Sequence, residues 1–146
     1  MTGSVFVDTN VLVYARDASE PEKQPRAQAW MDWLWSQQSG RISTQVFQEY
    51  YQIVTRKLQP GLKPGAARAD VRDLGAWKPI PIDGPLIEKA WTIEDRYRYS
   101  WWDSLILAAA CQAGCDILLT ENLAGGQQIE NIRIVNPFDV SPPGSE

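Results

Sequence analysis

Apolar and polar residues along this chain fall into short blocks whose period switches between about two and about 3.6. SVFVD (4–8) is a run of branched and aromatic residues suited to a central strand. NVLVYARD (10–17) follows as a short helix. Across 20–40, EPEKQPRAQAWMDWLWSQQSG sets Ala27, Trp30, Met31 and Leu34 at helical spacing and predicts a helix stopped by Gly40. RIS (41–43) reads as a brief strand. TQVFQEYYQIVTRKL (44–58) is an amphipathic helix with Val46, Phe47, Tyr50, Ile53 and Val54 as its apolar stripe, ended by Pro60-Gly61. KPGAARADVRDLGAW (63–77) is a weaker helix. PIPI (79–82) is expected as a short edge strand, because its prolines cannot donate to a ladder.

In the second half, Asp83 is placed to cap a helix over PLIEKAWTIEDRYRYS (85–100). WWDSLILAAACQAG (101–114) is apolar almost all the way round, the mark of a buried helix. DILLT (116–120) predicts a buried strand, Gly125-Gly126 a turn, and NIRIV (131–135) the last strand. Alternation of this kind implies an α/β fold, a three-layer α/β/α domain with a mostly parallel central sheet. Residues 1–140 form one domain in this reading, and 141–146 a tail expected to fray. Sites in such sheets lie beyond the carboxyl ends of strands. Two polar strand ends qualify: Asp8 after SVFV, and Thr120-Glu121-Asn122 after DILL.

Composition narrows the chemistry. The 146 residues suffice for one real core, and no apolar run approaches the roughly 20 residues of a membrane-spanning helix. The N-terminus runs straight into strand-like sequence without a basic start and cleavage site, so a cytoplasmic protein is expected. Cys111 and Cys115 fit neither a disulfide framework nor a zinc pattern and read as buried free thiols.

Histidine is absent. That removes Ser-His-Asp and Cys-His nucleophile arrangements and the histidine ligands favoured by catalytic zinc. A hydrolase built from this chain would run on carboxylates and hard cations. The net charge of −4 is a poor footprint for nucleic acid when taken alone. Locally, however, Arg56, Lys57, Lys63, Arg68, Arg72 and Lys78 outnumber Asp70 and Asp73 by four, and Arg96 and Arg98 precede the 101–114 helix. These are candidates for phosphate contacts and equally for solvating charges.

Each acid has a plain reading beside the functional one. Asp8 can cap the helix after it, although Thr9 or Asn10 would serve as well. Ser100-x-x-Asp103 fits a capping box at a helix start that also favours negative charge, which leaves cap and site both open. Glu49 lies beyond the apolar stripe of its helix, where a solvated flank residue is the plainer expectation. Thr120 and Asn122 suit an ordinary turn.

Taken together, VFVDTNVLVYA, the acid in STQVFQEYY, SWWDSLILAAA, and DILLTEN followed by GGQQIENIRIVNPF resemble the PIN-domain family, and within it the VapC-type toxin ribonucleases. The resemblance covers essentially the whole chain. It implies Asp8 and Asp103 as metal ligands, Glu49 as an acid that helps hold the metal or position water, Mg2+ or Mn2+ as cofactor, and RNA as substrate. The family's fourth acid falls at Asn122, which carries no charge; a one-metal site or reduced activity follows. Glu121, next to it, points differently along the chain. A VapB-like antitoxin and a toxin homodimer are the implied partners, with no membrane. Seven tryptophans, three of them (Trp30, Trp33 and Trp35) crowded on one helix, make part of that set a candidate partner groove. Two alternatives stay open. One is a degenerate PIN domain that binds RNA or protein without cleavage, supported by Asn122. The other is a phosphotransfer enzyme with Asp8 as nucleophile, in which Asn10 stands where a second aspartate is needed.

Overall fold

Val5, Phe6 and Val7 have no exposed surface, and their place in the sheet explains why. The structure, a computed structural model, describes residues 3–145. Met1, Thr2 and Glu146, the outermost residues of the expected domain and tail, lie outside the described residues. Among the described residues five strands, β1 (Ser4–Val7), β2 (Gly40–Arg41), β3 (Cys115–Leu119), β4 (Gln128–Ile129) and β5 (Ile132–Val135), stand in the order β2-β1-β3-β5-β4. The first four in that order run parallel, and β4 pairs antiparallel with β5. Strands covered on both faces read as continuous apolar runs rather than alternating ones, as VFV (5–7) and ILL (117–119) do.

Among the described residues six α-helices flank the sheet: α1 (Thr9–Arg16), α2 (Lys23–Gln37), α3 (Thr44–Arg56), α4 (Pro64–Leu74), α5 (Gly84–Tyr97) and α6 (Trp101–Gln112). They pack in two groups, α1 with α2 and α3 and α3 with α4, then α5 with α6, which also lies on β3. Every residue of α6 from Ser104 to Ala110 is buried, with the small side chains Ala108, Ala109 and Ala110 allowing close approach. Each fully buried leucine or isoleucine in this core contributes about 1.5–3 kcal/mol relative to exposure. The expected α/β fold with a mostly parallel sheet is thus present. No helix among the described residues is long and apolar enough to cross a membrane.

Three local expectations need correcting. PIPI is no strand: Ile80 alone pairs, in a single parallel bridge to Ser43. Its N–H donates to the Ile42 carbonyl and its carbonyl accepts from Thr44 N–H, both at 3.0 Å. Pro79 and Pro81 on either side have no N–H with which to extend the pairing. The two-residue β4 is too short to carry any period and was invisible in the sequence. Gly40 does not stop α2, which ends at Gln38 in the left-handed region with φ of 55°. Gly40 already lies in β2, where an added Cβ would stand 2.7 Å from the indole of Trp77. The glycine is required by that close approach.

At the other end of the chain, Trp30 Nε1 donates to the Val140 carbonyl at 2.9 Å, and Pro142, within the expected tail, is buried. Cys111 and Cys115 are free thiols. Burial pushes Cys115 up to about 12.

Candidate active site

β1 and β3 are neighbours in parallel register, Val7 beside Leu119, so their carboxyl ends deliver Asp8 and Thr120 to the same point. Thr120 Oγ1 donates to Asp8 Oδ2 at 2.8 Å, and Thr9 N–H donates to Asp8 Oδ1 at 2.7 Å. Asn10 Nδ2 reaches both Asp8 Oδ2, at 3.3 Å, and Thr120 Oγ1, at 3.2 Å. Asp8 therefore caps α1 and belongs to a wider cluster at once. It is 6% exposed. Burial lifts its pKa to about 6; the hydrogen bonds from Thr120 and Thr9 offset part of that rise, and the charges of Glu49 and Asp103 add to it.

The packing of α3 on α1 brings in Glu49. Thr9 Oγ1 donates to Glu49 Oε1 at 2.7 Å, and Gln45 Nε2 to Glu49 Oε2 at 3.4 Å. Glu49 is half-buried and bonded across the fold, not a solvated flank residue. At the start of α6, Ser100 Oγ accepts from Asp103 N–H at 3.1 Å, which makes half of the capping box. The returning bond from the Asp103 carboxylate is not formed among the described residues, so that carboxylate is left to the cleft. Asn122 is exposed at the rim, its backbone N–H donating to Thr120 Oγ1 at 3.1 Å.

Asp8, Glu49, Asp103 and Asn122 all line one open cleft of about 620 Å³. Glu121 does not; it pairs with Lys23 at 3.0 Å, and that ammonium lies over the rings of Tyr14 and Phe138. Asp17, Glu20, Thr9 and Gln45 also line the cleft and were not singled out from the sequence. Gln45 was within reach of sequence reasoning, since it lies one turn before Glu49 on the same helix. Thr9 was not, because its partner is 40 residues away.

Of the cations weighed as phosphate contacts, Lys57 is the one that lines the cleft among the described residues. Arg68 lies over the Tyr51 ring, and Arg96 is bonded to Glu130. The tryptophans of α2 also part company. Trp30 is core, whereas Trp35 is 39% exposed and packs on Trp77 with ring centroids 5.0 Å apart.

Asp8, Glu49, Asp103 and Asn122 bring hard oxygens to the cleft, three carboxylates and an amide carbonyl, the chemistry that suits Mg2+ or Mn2+. Among the described residues no three acidic or cysteine side chains already converge closely enough to cage an ion by themselves. Magnesium retains water in its shell and is held by one or two carboxylates, which the cleft supplies. Asp8, buried among neutral donors and neighbouring acids, is the group such a cation would relieve most.

A PIN domain family model matches residues 5–124, from β1 to the loop after β3. No curated protein matches the chain. Among solved structures, Mycobacterium tuberculosis VapC20, described as a sarcin-ricin loop cleaving toxin, is similar at 22% identity and a TM-score of 0.62, with 79% of this chain and 87% of that chain covered. A toxin–antitoxin complex from Klebsiella pneumoniae is similar at 18% identity and a TM-score of 0.65, covering 92% of this chain and 98% of that chain. At such identities the two structures speak to the fold. The family match spans most of the sequence and takes in the strand ends that carry Asp8 and Thr120: the chain belongs to the PIN domain family.

Proposed function

We propose that this protein is a metal-dependent endoribonuclease, the toxin of a type II toxin–antitoxin pair acting in the cytoplasm. The observation that carries the reading is Asp8: buried, bonded only to neutral donors, and sharing a cleft with Glu49 and Asp103. PIN membership and the similarity to a VapC toxin and to a toxin–antitoxin complex support it. The similarity to a toxin–antitoxin complex supports an antitoxin as partner; that this antitoxin is VapB-like and that the toxin forms a homodimer are further parts of the proposal.

A magnesium or manganese ion, when bound, supplies positive charge to the phosphoryl oxygens and acidifies water for attack. Asp8 and Asp103 are the residues assigned to hold it. Glu49, steadied by Thr9, completes the set or positions water. Thr120 and Thr9 fix the Asp8 carboxylate, whose rotamer would otherwise have to be ordered at each encounter. Asn122 offers a neutral carbonyl and amide, so the site is assigned one ion. Lys57 is available to a backbone phosphate. Hydrolysis leaves a 3′ hydroxyl and a 5′ phosphate.

Incubating the purified protein with structured RNA in Mg2+, Mn2+ or EDTA tests the reading. Cleavage giving 5′ phosphate ends is expected with either metal and not in EDTA. Asp103→Asn is expected to slow it on the order of a hundredfold or more, since even residues supporting a metal ligand contribute 10- to 100-fold. Equal cleavage by a folded Asp103→Asn protein, or in EDTA, overturns it. The neutral Asn122 favours a second reading, RNA binding without cleavage; binding with no cleavage under either metal would select that reading.

A further inference from the structure

Trp102 is 60% exposed, although the residues after it in α6 are buried from Ser104 to Ala110. Its neighbour Trp101 packs against the core, so the fold does not need a second indole here. One exposed aromatic side chain is ordinary, whereas contiguous exposed apolar side chains rimmed by polar residues mark binding grooves. Two further observations give this one a setting.

The first is a groove of about 300 Å³ next to the acidic cleft, lined by Gln45, Gln48, Glu49, Ile82 and Trp102. Its walls include two exposed apolar side chains, Trp102 and Ile82, the latter 38% exposed. Gln45, Glu49 and Trp102 line both the groove and the cleft, so the two are continuous. The second is Gln45, only 4% exposed. Its Nε2 donates to the Trp102 carbonyl at 3.3 Å and to Glu49 Oε2 at 3.4 Å. Two acceptors on one side settle which end of the amide faces them. Gln45 Oε1 is itself buried and has no hydrogen-bond partner among the described residues. Gln45 is a positioning residue: it ties the backbone of the indole to a carboxylate of the cleft.

We infer that Trp102 and Ile82 hold an unstacked nucleobase of the RNA strand, the one adjoining the phosphate seated at the cleft of Asp8 and Asp103. A neutral flat ring suits apolar walls that are continuous with the cleft where its own phosphate would sit. Every base has a π-face for the indole. The inference rests on RNA as the ligand proposed above, but not on its cleavage. It also implies that the nucleotide bound here comes from a loop or a single strand, because a paired base cannot leave its stack without loss.

The test uses the full-length protein and short single-stranded oligoribonucleotides in calcium buffer, with one abasic residue moved along the strand. Fluorescence anisotropy reads binding to wild type, Trp102→Ala and Trp102→Phe. In wild type, one abasic position should weaken binding about five- to a hundredfold. Trp102→Ala should weaken the intact strand by a similar factor and remove the abasic penalty, while Trp102→Phe retains most of both. An abasic penalty equal in wild type and Trp102→Ala overturns the inference, as does absence of RNA binding by wild type. So does unchanged RNA affinity in a Trp102→Ala protein that sediments as a monomer where wild type is a dimer, which would give the face to a second copy. Cleavage in Mg2+ separates the two readings. A base-dependent binder that does not cut supports the subsite and defeats the nuclease; a nuclease indifferent to the abasic residue does the reverse.

Discussion

Two carboxylates in this molecule accept several hydrogen bonds each, and the fold treats them in opposite ways. Glu130, in the turn between β4 and β5, accepts from Lys89 Nζ at 3.0 Å, Arg96 Nη1 at 2.9 Å and the Tyr97 hydroxyl at 2.9 Å. The Lys89 bond, with that of Tyr97, holds its carboxyl below the ordinary value of 4.5. Asp8 accepts from Thr120, Thr9 and Asn10, all neutral, and stands at about 6 where 3.8 is ordinary. Three bonds serve both groups; what differs is whether a cation is among the donors. A carboxylate neutralised within the chain is structural. One buried without a positive partner is a candidate to bind a cation from outside.

The largest effects expected from breaking this contrast fall on Asp8. Asp8→Asn should lower RNA cleavage on the order of a hundredfold or more. At about 1.4 kcal/mol for each tenfold change in proton affinity, ionising Asp8 in the fold costs up to about 3 kcal/mol. The same variant should therefore be more stable than wild type in EDTA at pH 7, as read by urea denaturation. A variant both inactive and less stable would mean that Asp8 is chiefly a structural cap.

The pH dependence follows from the direction of the shift. Because the folded pKa of Asp8 lies above the unfolded one, its penalty is absent below about 3.8, accumulates as pH rises to about 6, and is constant above that. In EDTA, the stability gap between Asp8→Asn and wild type should widen from pH 4 to 6 and then level off. Divalent-ion binding should run the other way, since protons compete for the carboxylate. Calorimetry with Mn2+ should show affinity falling roughly tenfold for each pH step below about 6. Affinity indifferent to pH across that window would remove Asp8 from the ligand set. Glu130 has the opposite sign: its contribution is present above 4.5 and lost as pH falls below it.

Asn122→Asp sharpens the comparison from the other side by adding a charge at the rim. An exposed charge near a bound cation is worth about 1 kcal/mol, so Mn2+ affinity should rise roughly fivefold. No gain would place residue 122 too far from the ion to matter. The smallest effect is expected at the neutralised site. Glu130→Gln should leave cleavage within about twofold of wild type and lower the melting temperature by roughly 2–4 °C, as partly exposed ion pairs contribute little.

Reading the sequence recovered the strands that are buried on both faces, because VFV (5–7) and ILL (117–119) are apolar without interruption. It failed where an element had no room for a period, as at β4, and where a single hydrogen-bonded residue between prolines imitated a strand, as at Ile80. The site divides in the same manner. Asp8 stood out as an acid at the end of a buried strand, and Asp103 as an acid on a helix with no polar face. Glu49 looked solvated because its partner Thr9 belongs to a different element. The Asp8–Thr120 bond spans 112 residues and depends on which strands are neighbours, a matter of topology that no local pattern carries. At Asp103 the structure shows the cap, with Ser100 Oγ accepting from its N–H, and also a carboxylate that lines the cleft, a combination only geometry can reveal.

The brevity of β2 and β4 has a consequence for behaviour at high concentration. They are the outer members of the sheet, two residues each, with Ile80 bridged beside the first and the Trp77 ring against Gly40. Sheets grow into aggregates by recruiting foreign strands along open borders, and here neither border offers more than a single step of ladder. A β-branched residue at position 40 would force the Trp77 indole aside and uncover that border, so such a variant is expected to self-associate more readily than wild type.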